Sequence, residues 1–190
     1  MKKFFVALTI LFAVTAANVS EAAQFTDEQR NQILSMTVQP SAAALAVDVG
    51  TFQKNFNDFM SGFIAQTNAG NDTAKMEQIF LIGEQNIVTN GQNVLFAKNF
   101  MNMVAIVGSL DESGHFKTLN LVGAAVDDKN EAMIRMLVLE AFVKGISPDS
   151  DAKTLLSEAK ENPDTPIVKG NVKFSFVTLD NLDVISVTAN

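Results

Sequence analysis

Apolar positions recur along this chain with two different periods, and the switch between them lays out the elements. From Phe52 to Phe63 the period is helical. Phe52, Phe56, Phe59 and Phe63 fall at i, i+4, i+7 and i+11 on one face, while Gln53, Lys54, Asn57, Asp58 and Ser61 lie away from it. The spacing predicts a helix capped by Thr51, with its phenylalanine stripe turned to a core. From Met101 the pattern shortens. NMVAIVGSL and FKTLNLVGAAV are apolar runs on either side of Asp111-Glu112-Ser113-Gly114. They predict a β-hairpin with Gly114 supplying a positive φ at the turn. Its first strand is apolar on both faces, Met101, Met103, Ala105 and Val107 against Val104 and Ile106, so it belongs inside a sheet covered on both sides. Further strands are predicted at Ile79–Ile82, at Ile87–Val88 and at Val94–Phe96, the last two joined around Asn90-Gly91. Near the C-terminus, Val172, Phe174 and Phe176 alternate with Lys173 and Ser175, and Asp180-Asn181 turns the chain into a last strand over Leu182–Thr188.

Helices fill the remaining segments. Thr26-Asp27-Glu28-Gln29 has the form of a capping box and predicts a short helix to about Met36. Ser41 is placed to cap a second, AAALAVDV, which Gly50 and Thr51 interrupt. Thr67 to Lys75 is polar and predicts a loop. Asp127 and Asp128 open KNEAMIRMLVLEAFVK, where Glu131/Arg135 and Glu140/Lys144 are i, i+4 pairs. Glu131 and Glu140 point to opposite sides, and the helix is apolar nearly all round. It therefore packs against two things. One is the sheet. The other is the Phe52–Phe63 helix in the first instance, with a ligand or a second copy of the chain as the alternatives. Gly145 is read as the end of this helix, and Ser147-Pro148-Asp149 as the start of another running through Leu155 and Leu156 to about Glu161. Together the elements predict an α+β fold, an antiparallel sheet of about five to seven strands with helices on one or both faces.

The first residues change the picture of where this fold resides. Lys2 and Lys3 precede an apolar stretch from Phe4 to Ala17, and Ser20-Glu21-Ala22 sets small residues around a cleavage point. Residues 1–22 read as a bacterial signal peptide, with Ala17 a competing cleavage point, and 23–190 as a single α+β domain that is periplasmic or secreted. No later apolar run approaches the length of a membrane span, so no stable membrane anchor is expected. With no cysteine in the chain, stability must come from an ordinary core. The net charge is −7, and removal of Lys2, Lys3 and Glu21 with the leader leaves 12 basic and 20 acidic residues. An acidic domain of this kind is repelled by polyanions, so no nucleic-acid partner is expected. The 15 Phe, with no Tyr and no Trp, weigh toward a core and against a binding face built on polar-tipped aromatics.

Candidate chemistry is sparse. His115 is the only histidine and follows a turn glycine, with nothing that pre-positions a catalytic triad around it. One His and no Cys leave zinc without its usual donors. The clusters Asp127-Asp128, Asp149-Asp151 and Asp180/Asp183 lack the spacing of a calcium loop. No catalytic residue, cofactor or metal is therefore assigned. Glu77, Glu84, Glu131 and Glu140 could form a carboxylate pair in space. Glu140 stands out because its segment is the most apolar. Buried, it would have a raised pKa and a functional role; at the surface, it would pair with Lys144.

The order of Phe52-x-x-x-Phe56-Asn57 on a helix, a strand pair around Asp111-x-x-Gly114, a long apolar helix, Ser147-Pro148-Asp149 and a strand from Gly170-x-Val172-Lys173-Phe174 resembles a layout shared by small exported bacterial proteins of unknown function. The resemblance covers roughly residues 50–190. It implies an antiparallel sheet with helices packed on it and carries over no activity and no site residues.

The functional expectation is an exported, non-enzymatic protein that binds a small apolar ligand or a partner protein, itself included as a homodimer. Phe59, Phe63, Met133, Met136 and Glu140 are the candidate contact residues. The alternative is a carboxylate-dependent cell-envelope hydrolase.

Overall fold

A computed structural model describes residues 25–36, 43–69, 80–83, 86–90, 93–124, 128–179 and 182–190. Residues 1–22, read as a signal peptide, lie outside the described residues, as do Ser41, Glu77, Glu84 and Asp127. The elements in chain order are α1 (Asp27–Met36), α2 (Val49–Ala69), β1 (Ile87–Asn90), β2 (Asn93–Phe100), β3 (Val104–Leu110), β4 (Phe116–Ala124), α3 (Lys129–Ile146), α4 (Ala152–Glu161), β5 (Ile167–Lys169), β6 (Val172–Leu179) and β7 (Leu182–Ala189).

The strands form one seven-stranded sheet in the order β1-β2-β3-β4-β7-β6-β5. Every neighbouring pair is antiparallel. The chain builds a meander from one edge to the centre, crosses by way of α3 and α4 to the opposite edge, and meanders back. The two halves close on each other where β4 meets β7, with Leu119 opposite Val187 and Ala124 opposite Leu182. The fold is thus α+β, as the alternating periods predict.

Both faces of the central strands are buried. Val104, Ile106, Leu119, Leu121, Phe174, Ile185 and Val187 share a core with α2, α3 and α4. Ala105, Val107, Val122, Ala124, Leu182 and Val184 turn the other way and pack with Phe25 and Ile33. The short helix α1 therefore covers part of the second face. Its capping box closes in both directions: Thr26 N–H donates to Gln29 Oε1 (2.9 Å) and Gln29 N–H to Thr26 Oγ1 (3.2 Å).

Phe52 is the hub of the main core. Its ring lies 5.9 Å from Phe56, 5.7 Å from Phe96 on β2, 5.6 Å from Phe116 on β4 and 6.1 Å from Phe142 on α3. It is fully buried. The Phe helix is thus what covers the second side of α3. The buried stripe of α2 is Val49, Phe52, Phe56, Met60 and Ile64, with Phe59 and Phe63 flanking it as partly buried neighbours.

Several boundaries differ from the sequence reading, each for a local reason. Residues 43–48 are not helical. Leu45 N–H donates to Phe116 O (2.7 Å), Phe116 N–H to Val47 O (3.4 Å) and Val49 N–H to Gly114 O (3.1 Å), and Asp48 bridges His115. An alanine-rich run with helical propensity is kept out of helix because the start of β4 offers its backbone partners. The cap of α2 is Asp48, not Thr51: Thr51 N–H donates to Asp48 Oδ1 (2.7 Å) and the Thr51 hydroxyl to Asp48 Oδ2 (3.2 Å). The helix also continues through 67–69, read as loop.

Phe80 and Ile82 are buried and Leu81 half-buried, but the segment is no strand. Asn57 from α2 takes the place of a neighbouring strand, accepting from Ile82 N–H (2.8 Å) and donating to Ile82 O (2.8 Å), while Gln53 also donates to Ile82 O (3.0 Å). These two polar residues, read as facing away from the core, fasten the Ile82 backbone to α2. The strand predicted from Met101 begins at Val104, because Met101 and Asn102 form the turn from β2, with φ of 52° and 60°. Gly145 does not end α3. The helix runs to Ile146, and the absent side chain is filled by Phe52: a Cβ there would meet Phe52 Cε2 at 2.6 Å. Nor does Ser147 cap the next helix. Ser147 closes a turn with Ser150 N–H (3.0 Å), and Asp151 caps α4 by accepting from Thr154 N–H (2.8 Å). Strand β5 was not predicted; it pairs with β6 around Gly170, whose φ is +61°.

Candidate functional site

The turn at His115 brings together a serine, a histidine and an aspartate. Ser113 Oγ lies 3.0 Å from His115 Nδ1. The order is wrong for a relay, however, because Asp111 Oδ1 accepts from the Ser113 hydroxyl (2.8 Å), from Ser113 N–H (2.9 Å) and from His115 N–H (2.9 Å), and sits 4.0 Å from the ring. A triad needs the carboxylate on the imidazole, not on the nucleophile. The backbone N–H of His115, with the Ser113 hydroxyl and amide behind it, holds the Asp111 carboxyl below its ordinary range. The cluster shapes the turn that α2 and the 43–48 segment dock on. Among the described residues no group of three or more His, Asp or Glu side chains converges as a metal site.

Glu140 is half-buried on α3. Its Oε2 accepts from Ala152 N–H (2.8 Å), an amide at the N-terminus of α4 with no helical partner, and its Oε1 lies 4.0 Å from Lys144. Two acidic groups thus serve one helix start, Asp151 as the cap and Glu140 from the neighbouring helix.

A groove of about 520 Å³ opens between α3 and α4 above the helix-facing side of the sheet. Val104, Leu121, Phe176 and Ile185 contribute from four adjacent strands. Ala132, Met136 and Leu139 line it from α3, and Leu156 and Ala159 from α4. The space exists because small residues, Ala132 and Ala159, stand on the helices where larger ones would fill it. Its volume falls within the usual range of small-molecule sites, and its lining is mainly apolar. Met136 stands 42% exposed at its rim, a flexible side chain of the kind that adapts to what it meets.

Charged residues also line the groove. Arg135 reaches from α3 to the sheet, its Nη1 donating to Ala124 O (2.7 Å) and its Nη2 to Asp183 Oδ2 (2.7 Å). Asp183 is steadied by the Thr178 hydroxyl on its other oxygen (3.1 Å). The guanidinium lies directly over Gly123: a Cβ at that position would come within 2.7 Å of Arg135 Nε. Lys160 also lines the groove and makes no ion pair among the described residues. The lining therefore carries two cations and one carboxylate in a chain of net charge −7.

Of the contact residues read from the sequence, Met136 lines this groove. Phe59 and Phe63 pack beside the main core on α2, Met133 is half-buried on α3, and Glu140 tethers α4. The sequence pairs Arg135 with Glu131 and sets Asp183 beside Asp180, and it gives no signal that Lys160 and Gly123 belong to a site. Arg135 and Asp183 are 48 positions apart, and only the β4–β7 pairing brings Asp183 opposite Gly123. No helix among the described residues is long and apolar enough to cross a membrane. Comparison of the chain with protein-family models, with curated proteins and with solved structures finds no match.

Proposed function

We propose that this protein is an exported, non-enzymatic binding protein that takes a small apolar ligand into the groove between α3 and α4. The observation that carries the reading is the groove itself: about 520 Å³ of apolar-lined space over the sheet, kept open by small residues on both helices. The basic and apolar start of the chain, read as a signal peptide over 1–22, supports export to the periplasm or beyond. A second copy of the chain as occupant is the competing form of the same reading, and exposed Met136 is its motive. The hydrolase alternative draws no support from Glu140, whose carboxylate is engaged by the Ala152 amide.

The test uses Nile red, a neutral apolar dye whose emission rises out of water. Purified protein is expected to give a saturable rise that fits one site per chain. Ala159→Trp, which puts an indole into the groove from a partly exposed position on α4, is expected to abolish the rise while leaving the melting temperature within a few degrees. Emission that is unsaturable, or unchanged by Ala159→Trp, would sink the reading. Concentration-dependent mass in native mass spectrometry, lost in Ala159→Trp, would assign the groove to a second copy.

A further inference from the structure

The charged residues of the groove narrow the class of ligand, and this step rests on the groove being a binding site. The lining is apolar along Val104, Leu121, Leu139 and Ile185 and includes two cations, Arg135 and Lys160. Arg135 is held in place by Ala124 O and Asp183, each taking one nitrogen, whereas a guanidinium has five N–H donors. Two hydrogen bonds position the group and leave donor capacity over. It is largely shielded, with its side chain 24% exposed, so an anion reaching it is less screened than at an open surface. The single carboxylate in the lining, Asp183, is already shared between Arg135 and the Thr178 hydroxyl. Lys160 has no such partner among the described residues.

We propose that the occupant is an amphiphile with an aliphatic chain and one anionic head, a long-chain carboxylate in class. Its head meets the remaining donors of Arg135 and the Lys160 ammonium, and its chain lies along the apolar floor. Charge-assisted hydrogen bonds to the head set orientation, and apolar burial holds the tail. A neutral chain of equal length keeps the second contribution and loses the first.

Displacement of Nile red by decanoate, decanol and decylammonium separates the two contributions. Decanoate is expected to displace the dye at roughly ten- to hundredfold lower concentration than decanol, the range for hydrogen bonds to a charged group, with decylammonium weakest. Lys160→Glu and Arg135→Gln are each expected to shrink the decanoate advantage, and Lys160→Glu to favour decylammonium. Lys160 is exposed, so that variant keeps the test valid should Arg135→Gln fail to fold. Equal displacement by decanoate and decanol, or a decanoate advantage that survives Lys160→Glu, would overturn the anionic head while the groove reading stands. If neither Nile red nor any of the three chains binds, the groove reading fails and this inference falls with it.

Discussion

Single residues in this fold are often chosen by a contact far away in sequence. Gly145 lies inside α3, where a glycine normally costs about 1 kcal/mol against alanine. Here the relation is reversed, because a Cβ at 145 would meet the Phe52 ring at 2.6 Å, and Phe52 is wedged among four other rings. Gly145→Ala is expected to destabilise by about 1–3 kcal/mol in urea unfolding, an overpacking cost that outweighs the propensity gain. A rise in stability would show that Phe52 can move aside. Met101 poses the opposite case. It holds a left-handed φ of 52° in the two-residue turn closed by Met103 N–H to Phe100 O (3.1 Å), a conformation costing a non-glycine residue about 1 kcal/mol or more. Met101→Gly is expected to raise the urea midpoint at constant slope; an unchanged or lower midpoint would count against the strain.

Three carboxylates sit at backbone junctions and share one electrostatic cause. Asp48 is held below its ordinary range chiefly by the Thr51 amide, Asp111 by the His115 amide and Asp151 by the Thr154 amide. Each stays ionised in the folded chain at a pH where the unfolded chain takes up a proton. Their contribution is therefore fully present above the ordinary carboxylate range, and is lost as pH falls through it to the depressed folded values. All three are partly open to solvent, so screening keeps each effect small. The melting temperature is expected to fall as pH is lowered from roughly 5 to 3, and Asp48→Asn, which still caps but does not titrate, to flatten that fall with little change at neutral pH. Parallel curves for the two proteins would remove Asp48 from the account.

At the scale of elements, propensity and pattern compete with the backbone's need for partners. The 43–48 segment gives up helix because β4 offers hydrogen bonds, and Phe80–Ile82 gives up strand because Asn57 supplies a side-chain substitute. Asn57 is consequently a structural residue on what looks like a polar helix face. Asn57→Ala is expected to cost about 1–3 kcal/mol, since it strands the amide of Ile82 at a part-buried position and leaves the carbonyl to Gln53 alone. Hydrogen exchange at Ile82 should accelerate in that variant; exchange and stability like the parent's would show that water takes over both bonds. The hairpin of β3 and β4, by contrast, is legible from its own residues. Apolar runs on both sides of Asp111–Gly114 are enough for two central strands, and Gly114 takes the left-handed φ of +83° that its turn demands.

At the scale of the molecule, what distinguishes the two sides of α3 is how completely each is covered. Toward α2 the packing is closed by Phe52, Phe142 and Gly145. Toward α4 it is left open by Ala132 and Ala159, and the groove results. A ligand bound only by the folded chain stabilises it in proportion to occupancy, by about 2.7 kcal/mol at a hundredfold excess over Kd. Saturating decanoate is accordingly expected to raise the melting temperature of the parent protein and to leave Ala159→Trp unmoved. Equal shifts in the two would place the binding outside the groove.

The sequence alone determined what depends on period and on nearest neighbours: the α+β class, the central hairpin, the capping box at Thr26, the amphipathic Phe helix and the excess apolar surface of α3. Those signals are local, because a strand or helix declares its buried face within a few residues. Tertiary structure decided what depends on closure. It chose Asp48 and Asp151 as caps over Thr51 and Ser147, put Glu140 to work on the start of α4, and turned Gln53 and Asn57 inward to Ile82. It also made the groove. Gly123, Arg135 and Asp183 meet only because β7 returns beside β4. No periodicity in the chain records that pairing, since each residue is unremarkable in its own segment and the site exists only in the distance between them.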